Sequence, residues 1–296
     1  MPLPPLYKYL DIKGARLTLD GRCFRHAKPS TFNDTEDLTV AGMFPEPIED
    51  AVKGIAANFV DVILKNVDRA PACSNKSLKA KVASFQKIFK KRPEMAGILK
   101  LAITKNAAVF DLDVPIISAL AAETISDINE LMQRHRVLCV TTHIESEKMW
   151  SEYTKGHRGI ALRIVGNSEK ASKFEKFCKV SYVEKRPAIY DSAAAYLESA
   201  LFADRETRSR DTMNKIIYSK TLKWSYESEY RLVIYLEDGE EWETLSFHPE
   251  EIVELYLGFS IDENDKTDIV EKAISLNPAI VIFQMKRNGA GGLVWD

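Results

Sequence analysis

Cysteine is scarce and scattered. Four thiols, Cys23, Cys73, Cys139 and Cys178, are spread over 296 residues with no C-x-x-C pair. That spacing suits buried, reduced thiols in the cytoplasm better than a disulfide or zinc framework. Long apolar runs are also missing, so no membrane span is expected and no membrane partner. The N-terminus opens on prolines (Pro2, Pro4, Pro5), not on a basic stretch before an apolar core, so no signal peptide is expected. The five histidines, His26, His135, His143, His157 and His248, stand singly and make no H-E-x-x-H, so no metal is expected. A P-loop, a G-x-G-x-x-G after a strand and a G-x-S-x-G elbow are all lacking. A formal net charge of -2 gives the whole molecule no pull on polyanions. No internal repeat or low-complexity tract interrupts the chain.

What is present reads as a folded α+β protein. Apolar residues make up 45% and charged residues 28% of the chain, the composition of a globular domain. Short alternating runs at Leu6–Leu10, Arg22–Ala27, Val137–Thr142, Gly159–Val165, Val180–Val183, Ile252–Leu257 and Ile280–Met285 predict strands. The turn signal Asp238-Gly239, followed by Glu241–Phe247, predicts a hairpin with the strand before it. Ile12–Leu19, Glu145–Tyr153, Asp191–Tyr218 and Asp262–Leu276 read as helices, and the glycine-rich tail Asn288–Gly292 as irregular. Between the early and late strands lies a helical stretch. Ile48, Val52, Ile55, Phe59, Ile63 and Val67 make one amphipathic stripe, closed by Pro71. Leu78, Val82, Phe85 and Phe89 mark a second helix before Pro93. Met95–Val109 and the segment after Asp113 and Pro115 predict two more. The expectation is a single domain over 1–296, with a central mixed or antiparallel sheet and a helical insert at 45–136.

The insert carries the strongest charge asymmetry. Lys76, Lys79, Lys81, Lys87, Lys90, Lys91, Arg92, Lys100 and Lys105 face one acid, Glu94. A basic face of this kind can contact RNA, DNA or an acidic partner. It is equally a solvated lysine face, since Phe85 and Phe89 fall on the apolar stripe and are not free to stack on bases.

Lys223–Leu236 (K-W-S-Y-E-S-E-Y-R-L-V-I-Y-L) concentrates the remaining chemistry. Its alternation, run backward, puts Glu227, Glu229 and Arg231 on one face at the entrance of a strand. Two neighbouring carboxylates perturb each other's ionisation, a pattern of functional sites as well as of structural ion pairs. Other candidates are Asn33 and Asp34, presented by the loop P-S-T-F-N-D (Pro29–Asp34), and Tyr153 on the short helix. His157 and Arg158, between Gly156 and Gly159, could meet a phosphate or carboxylate.

Taken in order, L-Y-K-Y-L (Leu6–Leu10), P-S-T-F-N-D, M-W-S-E-Y with H-R-G after it, and K-W-S-Y-E-S-E-Y-R-L resemble the bacterial family known as domain of unknown function 2971. That family continues the loop as N-D-P-F-[DE]; this chain reads Asn33-Asp34-Thr35-Glu36-Asp37. The same pieces are similar to ADP-ribosyltransferases, whose first strand carries a basic residue beside a tyrosine and whose late strand enters through Glu-x-Glu. That resemblance implies an ADP-ribosyltransferase-like sheet and an enzyme with NAD as substrate. Lys8 and Tyr9 would stand on the first strand and Tyr153 beside the nicotinamide. Glu229 would stabilise the ribose cation, and Glu227 would take the proton of an incoming nucleophile. Lys8 replaces the family's Arg or His and would hold the pyrophosphate as a point charge rather than a bidentate fork. Bacterial defence or toxin activity on a protein or nucleic-acid acceptor is the implied setting. A nucleic-acid-binding or nuclease-like protein and a non-catalytic ligand-sensing module stay open beside it.

Overall fold

The computed structural model describes residues 2–105, 114–236, 242–287 and 293–296. The chain forms two compact units: residues 1–37, 133–184 and 220–296, and residues 38–132 and 185–219.

The first unit is built on a ten-stranded mixed sheet. Its strands in chain order are β1 (Leu6–Leu10), β2 (Cys23–Ala27), β3 (His135–Thr141), β4 (Ile160–Ile164), β5 (Cys178–Lys179), β8 (Glu229–Tyr235), β9 (Trp242–Ser246), β10 (Ile252–Leu257), β11 (Val281–Arg287) and β12 (Leu293–Trp295). Two short strands, β6 (Ser181–Val183) and β7 (Ser219–Thr221), lie outside it. Pairing is antiparallel except between β10 and β11. The helices of this unit are α1 (Ile12–Gly21), α6 (Glu147–Tyr153) and α9 (Glu263–Leu276).

Strand periodicity sorts the side chains onto two faces. Leu6, Leu138, Leu162, Leu232 and Leu255 pack with Ala15 and Leu19 of α1 and Ile269 and Ala273 of α9. Arg16 anchors α1 to α9 through Asp265 (2.8 Å) and Asp268 (2.6 Å). The opposite face gathers Tyr7, Tyr9, Ala161, Tyr256 and Met285 around Trp150 of α6. Gly159 is needed where the chain returns from α6 into β4, because a Cβ there would meet the Leu10 carbonyl at 2.1 Å.

One feature of the sheet positions the candidate site. β3 pairs along its length with β8. Its other edge is shared: Tyr7 of β1 stands opposite Thr141, and Ala27 of β2 stands opposite Val137. The sheet therefore forks, and Cys139, midway between those pairs, faces a gap.

The second unit is helical: α2 (Ile48–Lys65), α3 (Lys76–Lys91), α4 (Glu94–Lys105), α5 (Val114–Met132), α7 (Ala193–Phe202) and α8 (Arg205–Ile217). Phe59, Ile63, Val82, Phe89 and Ile103 share one core with Leu197, Leu201 and Phe202 of α7. The helices expected over 45–136 thus pack with a helix from much later in the chain. Burying a side chain such as Leu201 or Phe202 contributes roughly 1.5–3 kcal/mol. No helix among the described residues is long and apolar enough to cross a membrane.

Three expectations are corrected. The helix over Asp191–Tyr218 is two helices, broken at Asp204, whose carboxylate leaves the helical path to accept the Thr207 amide (2.8 Å) and cap α8. The hairpin between the Glu-x-Glu strand and the next strand is not formed, since β9 pairs with β2 while β8 lies between β3 and β5. Local turn chemistry proposed that pairing; sheet-wide register decided against it. The turn Asp238-Gly239, the tail Asn288–Gly292 and the end of the helix expected over Met95–Val109 lie outside the described residues. The third correction concerns Lys223–Leu236. A 3-10 turn, Leu222–Glu227, takes up its start, and the strand begins only at Glu229.

His26 on β2 is fully buried, with Nδ1 3.3 Å from the Phe24 carbonyl and no hydrogen-bond partner for Nε2 among the described residues. Burial holds its pKa down at about 4, against 6.5 for an exposed imidazole. The folded state therefore favours the neutral ring, and the unfolded chain takes up the proton first as pH falls. Its contribution to stability is complete above about pH 6.5 and is lost as pH falls to about 4, some 3 kcal/mol in all. Urea unfolding across this range should show a smaller loss in His26→Gln than in wild type. An equal loss in both would place the acid sensitivity elsewhere.

Candidate active site

The strands of the fork and the segments beside them line a cavity of about 400 Å3. β1 contributes Tyr7, Lys8 and Tyr9, β2 contributes Arg25 and Ala27, and β3 contributes Cys139 and Thr141. Phe32 and Asn33 come from the loop after β2, and Tyr153 from α6. Lys220, Glu227 and Glu229 complete the wall.

Each side chain is placed by a local cause. Lys8 lies in the fork, and its Nζ donates to the Cys139 carbonyl (2.9 Å), an acceptor at the gap between β1 and β2. Tyr9 is fixed at both ends: its ring stands edge-on to Trp150 (4.9 Å), and its hydroxyl donates to the carbonyls of His143 (2.8 Å) and Ile144 (2.9 Å). Ser146 caps α6 by accepting the Met149 amide (3.3 Å). Trp150 is buried on one side of that helix, its Nε1 donating to the Ile144 carbonyl (2.8 Å). This anchoring turns Tyr153 toward the cavity.

The two glutamates converge for a reason the alternation did not supply. Glu229 and Arg231 share a face of β8, but Glu227 precedes the strand. Ser228 between them is left-handed (φ 43°), and this bend brings Glu227 to the same ammonium as Glu229. Lys220 Nζ donates to Glu227 Oε2 (2.5 Å) and Glu229 Oε2 (3.1 Å) and stands 3.6 Å from Asp37 Oδ2. Arg231 donates through Nε to Glu229 Oε1 (2.7 Å) and through Nη2 to Asp37 Oδ2 (2.6 Å). Tyr153 donates its hydroxyl hydrogen to Glu227 Oε1 (2.5 Å), and Asn33 Nδ2 donates to the Tyr153 oxygen (3.2 Å). The backbone of Glu229 is held as well, its amide donating to the Tyr182 hydroxyl (2.9 Å).

These contacts split the carboxylates electrostatically. Burial alone would push both glutamates up. At Glu229 the cations Arg231 and Lys220 outweigh burial and hold the carboxyl well below its usual range. At Glu227 burial wins over Lys220, with repulsion from Glu229 adding to it, and the pKa is raised. Asp37 is raised for the same first reason, against the pull of Arg231. Burial also lowers Lys8 and raises Tyr153, the latter helped by Glu227, so the phenol keeps its proton.

Of the residues singled out from sequence, Lys8, Tyr9, Asn33, Tyr153, Glu227 and Glu229 line this cavity. Arg231 is fully buried behind Glu229. Asp34 is buried beside Lys223 (3.6 Å). His157 is buried between Trp150 and Phe259, with Nε2 3.1 Å from Glu147, and Arg158 is exposed; neither lines the cavity. Sequence reasoning missed Lys220, Asp37 and Arg25. Asp37 keeps the acidic residue that ends the N-D-P-F-[DE] pattern, a signal that was legible. Lys220 carries no pattern of its own. No group of three or more His, Cys, Asp or Glu suited to a metal occurs among the described residues.

The fold and site are those of an α+β protein with a forked mixed sheet and a buried carboxylate cluster at the fork. Residues 149–232 match the model of a family described as "Protein of unknown function (DUF2971)". The matched stretch runs from α6 to β8 and holds Tyr153, Lys220, Glu227, Glu229 and Arg231. No curated protein and no solved structure matches the chain.

Removing one member of a buried ion cluster leaves the others uncompensated, at a cost of about 3–5 kcal/mol. Arg231→Met should lower stability by about that amount in urea unfolding. Arg231→Met combined with Glu229→Gln and Asp37→Asn should recover a large part of it. Equal loss in the single and triple variants would mean that Arg231 acts by packing alone.

Proposed function

We propose that the protein is an ADP-ribosyltransferase-like enzyme that cleaves NAD and transfers ADP-ribose to a protein or nucleic-acid acceptor. One observation carries this reading: Lys8, Tyr153, Glu227 and Glu229, from three separate stretches, line one cavity. Its volume of about 400 Å3 lies within the range of small-molecule sites, roughly 300–1,000 Å3. Lys8 commits one of its three N–H donors to Cys139 and can offer others to the pyrophosphate. Tyr9, Phe32 and Tyr153 supply aromatic walls. In the reaction, the bond from ribose C1′ to nicotinamide breaks and nicotinamide leaves with the electron pair. The acceptor's lone pair forms the new bond to C1′, and its proton passes to Glu227. Glu229, kept ionised by Arg231, faces the cationic ribose. Two carboxylates driven to opposite protonation behaviour by their surroundings suit this division of labour. Reduced thiols at Cys23, Cys73, Cys139 and Cys178 fit work in the cytoplasm.

Purified wild type should release nicotinamide from NAD. Glu229→Gln should lower the rate on the order of 100- to 1,000-fold. Glu227→Gln should spare hydrolysis by water more than transfer to an acceptor in cell extract. Equal rates in wild type and Glu229→Gln would remove Glu229 from the chemistry. Absence of nicotinamide release from folded wild type would favour the non-catalytic sensing module.

A polyanionic acceptor has its own support. Lys76, Lys79, Lys81, Lys87 and Lys91 are exposed along α3, while Lys90 pairs with Asp68 (2.7 Å). Each lysine that contacts a phosphate should, as glutamine, reduce the salt slope of RNA or DNA binding by about one. Wild type that fails to bind either at low salt would leave α3 a solvated face.

A further inference from the structure

Lys220 has the environment of a working part rather than a surface lysine. Its side chain is 5% exposed. An ammonium has three N–H donors, and here three carboxylates surround it: Glu227 at 2.5 Å, Glu229 at 3.1 Å and Asp37 at 3.6 Å. The Trp224 ring covers another side, 4.9 Å away. Glu229 and Asp37 are themselves held by Arg231. The ammonium is therefore fixed by the sheet and cannot follow a mobile partner.

Glu227 differs from the other two carboxylates. It precedes the strand, and two side chains set its carboxylate. Lys220 takes Oε2 from below, and Tyr153 takes Oε1 at the cavity wall. We propose that Lys220 is the positioning residue of this site: it locks Oε2 so that Oε1 stays turned to Tyr153 and the cavity, ready to accept a proton. This rests on the reading of Glu227 as the proton acceptor. Burial opposes ionisation of Glu227, and Lys220 is the strongest influence acting the other way.

The test uses Lys220→Met and Lys220→Arg in the full chain. Carbon-13 NMR of labelled glutamate follows the Glu227 carboxyl, assigned by the signal lost in Glu227→Gln. Loss of a cation in direct contact should move its titration upward by about one pH unit or more in Lys220→Met, while Lys220→Arg should stay near wild type. The acidic limb of the kcat profile for ADP-ribose transfer should move the same way. At neutral pH kcat should fall about 100-fold with little change in KM for NAD. If Lys220→Met does not fold, Lys220→Met with Glu229→Gln removes one charge of each sign, and its titration is compared with Glu229→Gln alone. An unmoved Glu227 titration in a folded variant lacking Lys220 would overturn the proposal. The NMR arm needs no turnover. Wild type that releases no nicotinamide would fail the NAD reading, and the titration would still decide whether Lys220 governs Glu227.

Discussion

Five charged groups buried together set the terms for the rest of the fold. Asp37, Lys220, Glu227, Glu229 and Arg231 are each 7% exposed or less. Charges taken out of water cost several kcal/mol apiece unless their partners are in place. Each contact here therefore requires that a particular piece of chain arrive: the end of the loop after β2, the strand before the 3-10 turn, and β8 itself. The cluster is a weak source of net stability and a strong constraint on register. A slip of one residue in β8 would turn Glu229 and Arg231 to the opposite face, among leucines.

The fork in the sheet is what leaves room for a cavity beside that cluster. A regular sheet would bury the middle of β3 under a neighbouring strand. Here β1 and β2 each take one end of its edge, and the gap holds Lys8 in place of a ladder partner. A backbone carbonyl that would be satisfied by a strand is satisfied by an ammonium. The same arrangement brings a cation to the cavity wall, so the cavity carries both signs of charge.

The asymmetry between the two glutamates comes from depth and partners, not from residue type. Glu229 lies against a guanidinium fixed at both ends and stays ionised. Glu227 meets a lysine, a phenol and a like charge, and its proton affinity is poised higher. Tyr153 takes part as a hydrogen-bond donor because burial keeps its proton on.

Much of the frame could be read from the chain. Alternation at Leu6–Leu10 and Ile252–Leu257 identified strands because one face of each meets the core. Amphipathic spacing from Ile48 to Val67 identified a helix because one stripe is buried. The short motifs singled out Tyr153, Glu227, Glu229 and Asn33 as site candidates, since these residue types sit next to backbone signals that depend only on neighbours. Other features depend on residues far apart in sequence. Lys220 and Asp37 are 183 positions apart, and no local pattern brings them together. The pairing of β9 with β2 and the packing of α7 with α2 were likewise settled by long-range contacts. The sequence by itself determined which segments are strands and helices and which carboxylates are candidates, because periodicity and turn chemistry are local. Only the tertiary structure decided which cations neutralise those carboxylates and which one faces the cavity with a raised pKa, because desolvation and ion pairing act between segments that meet only after folding.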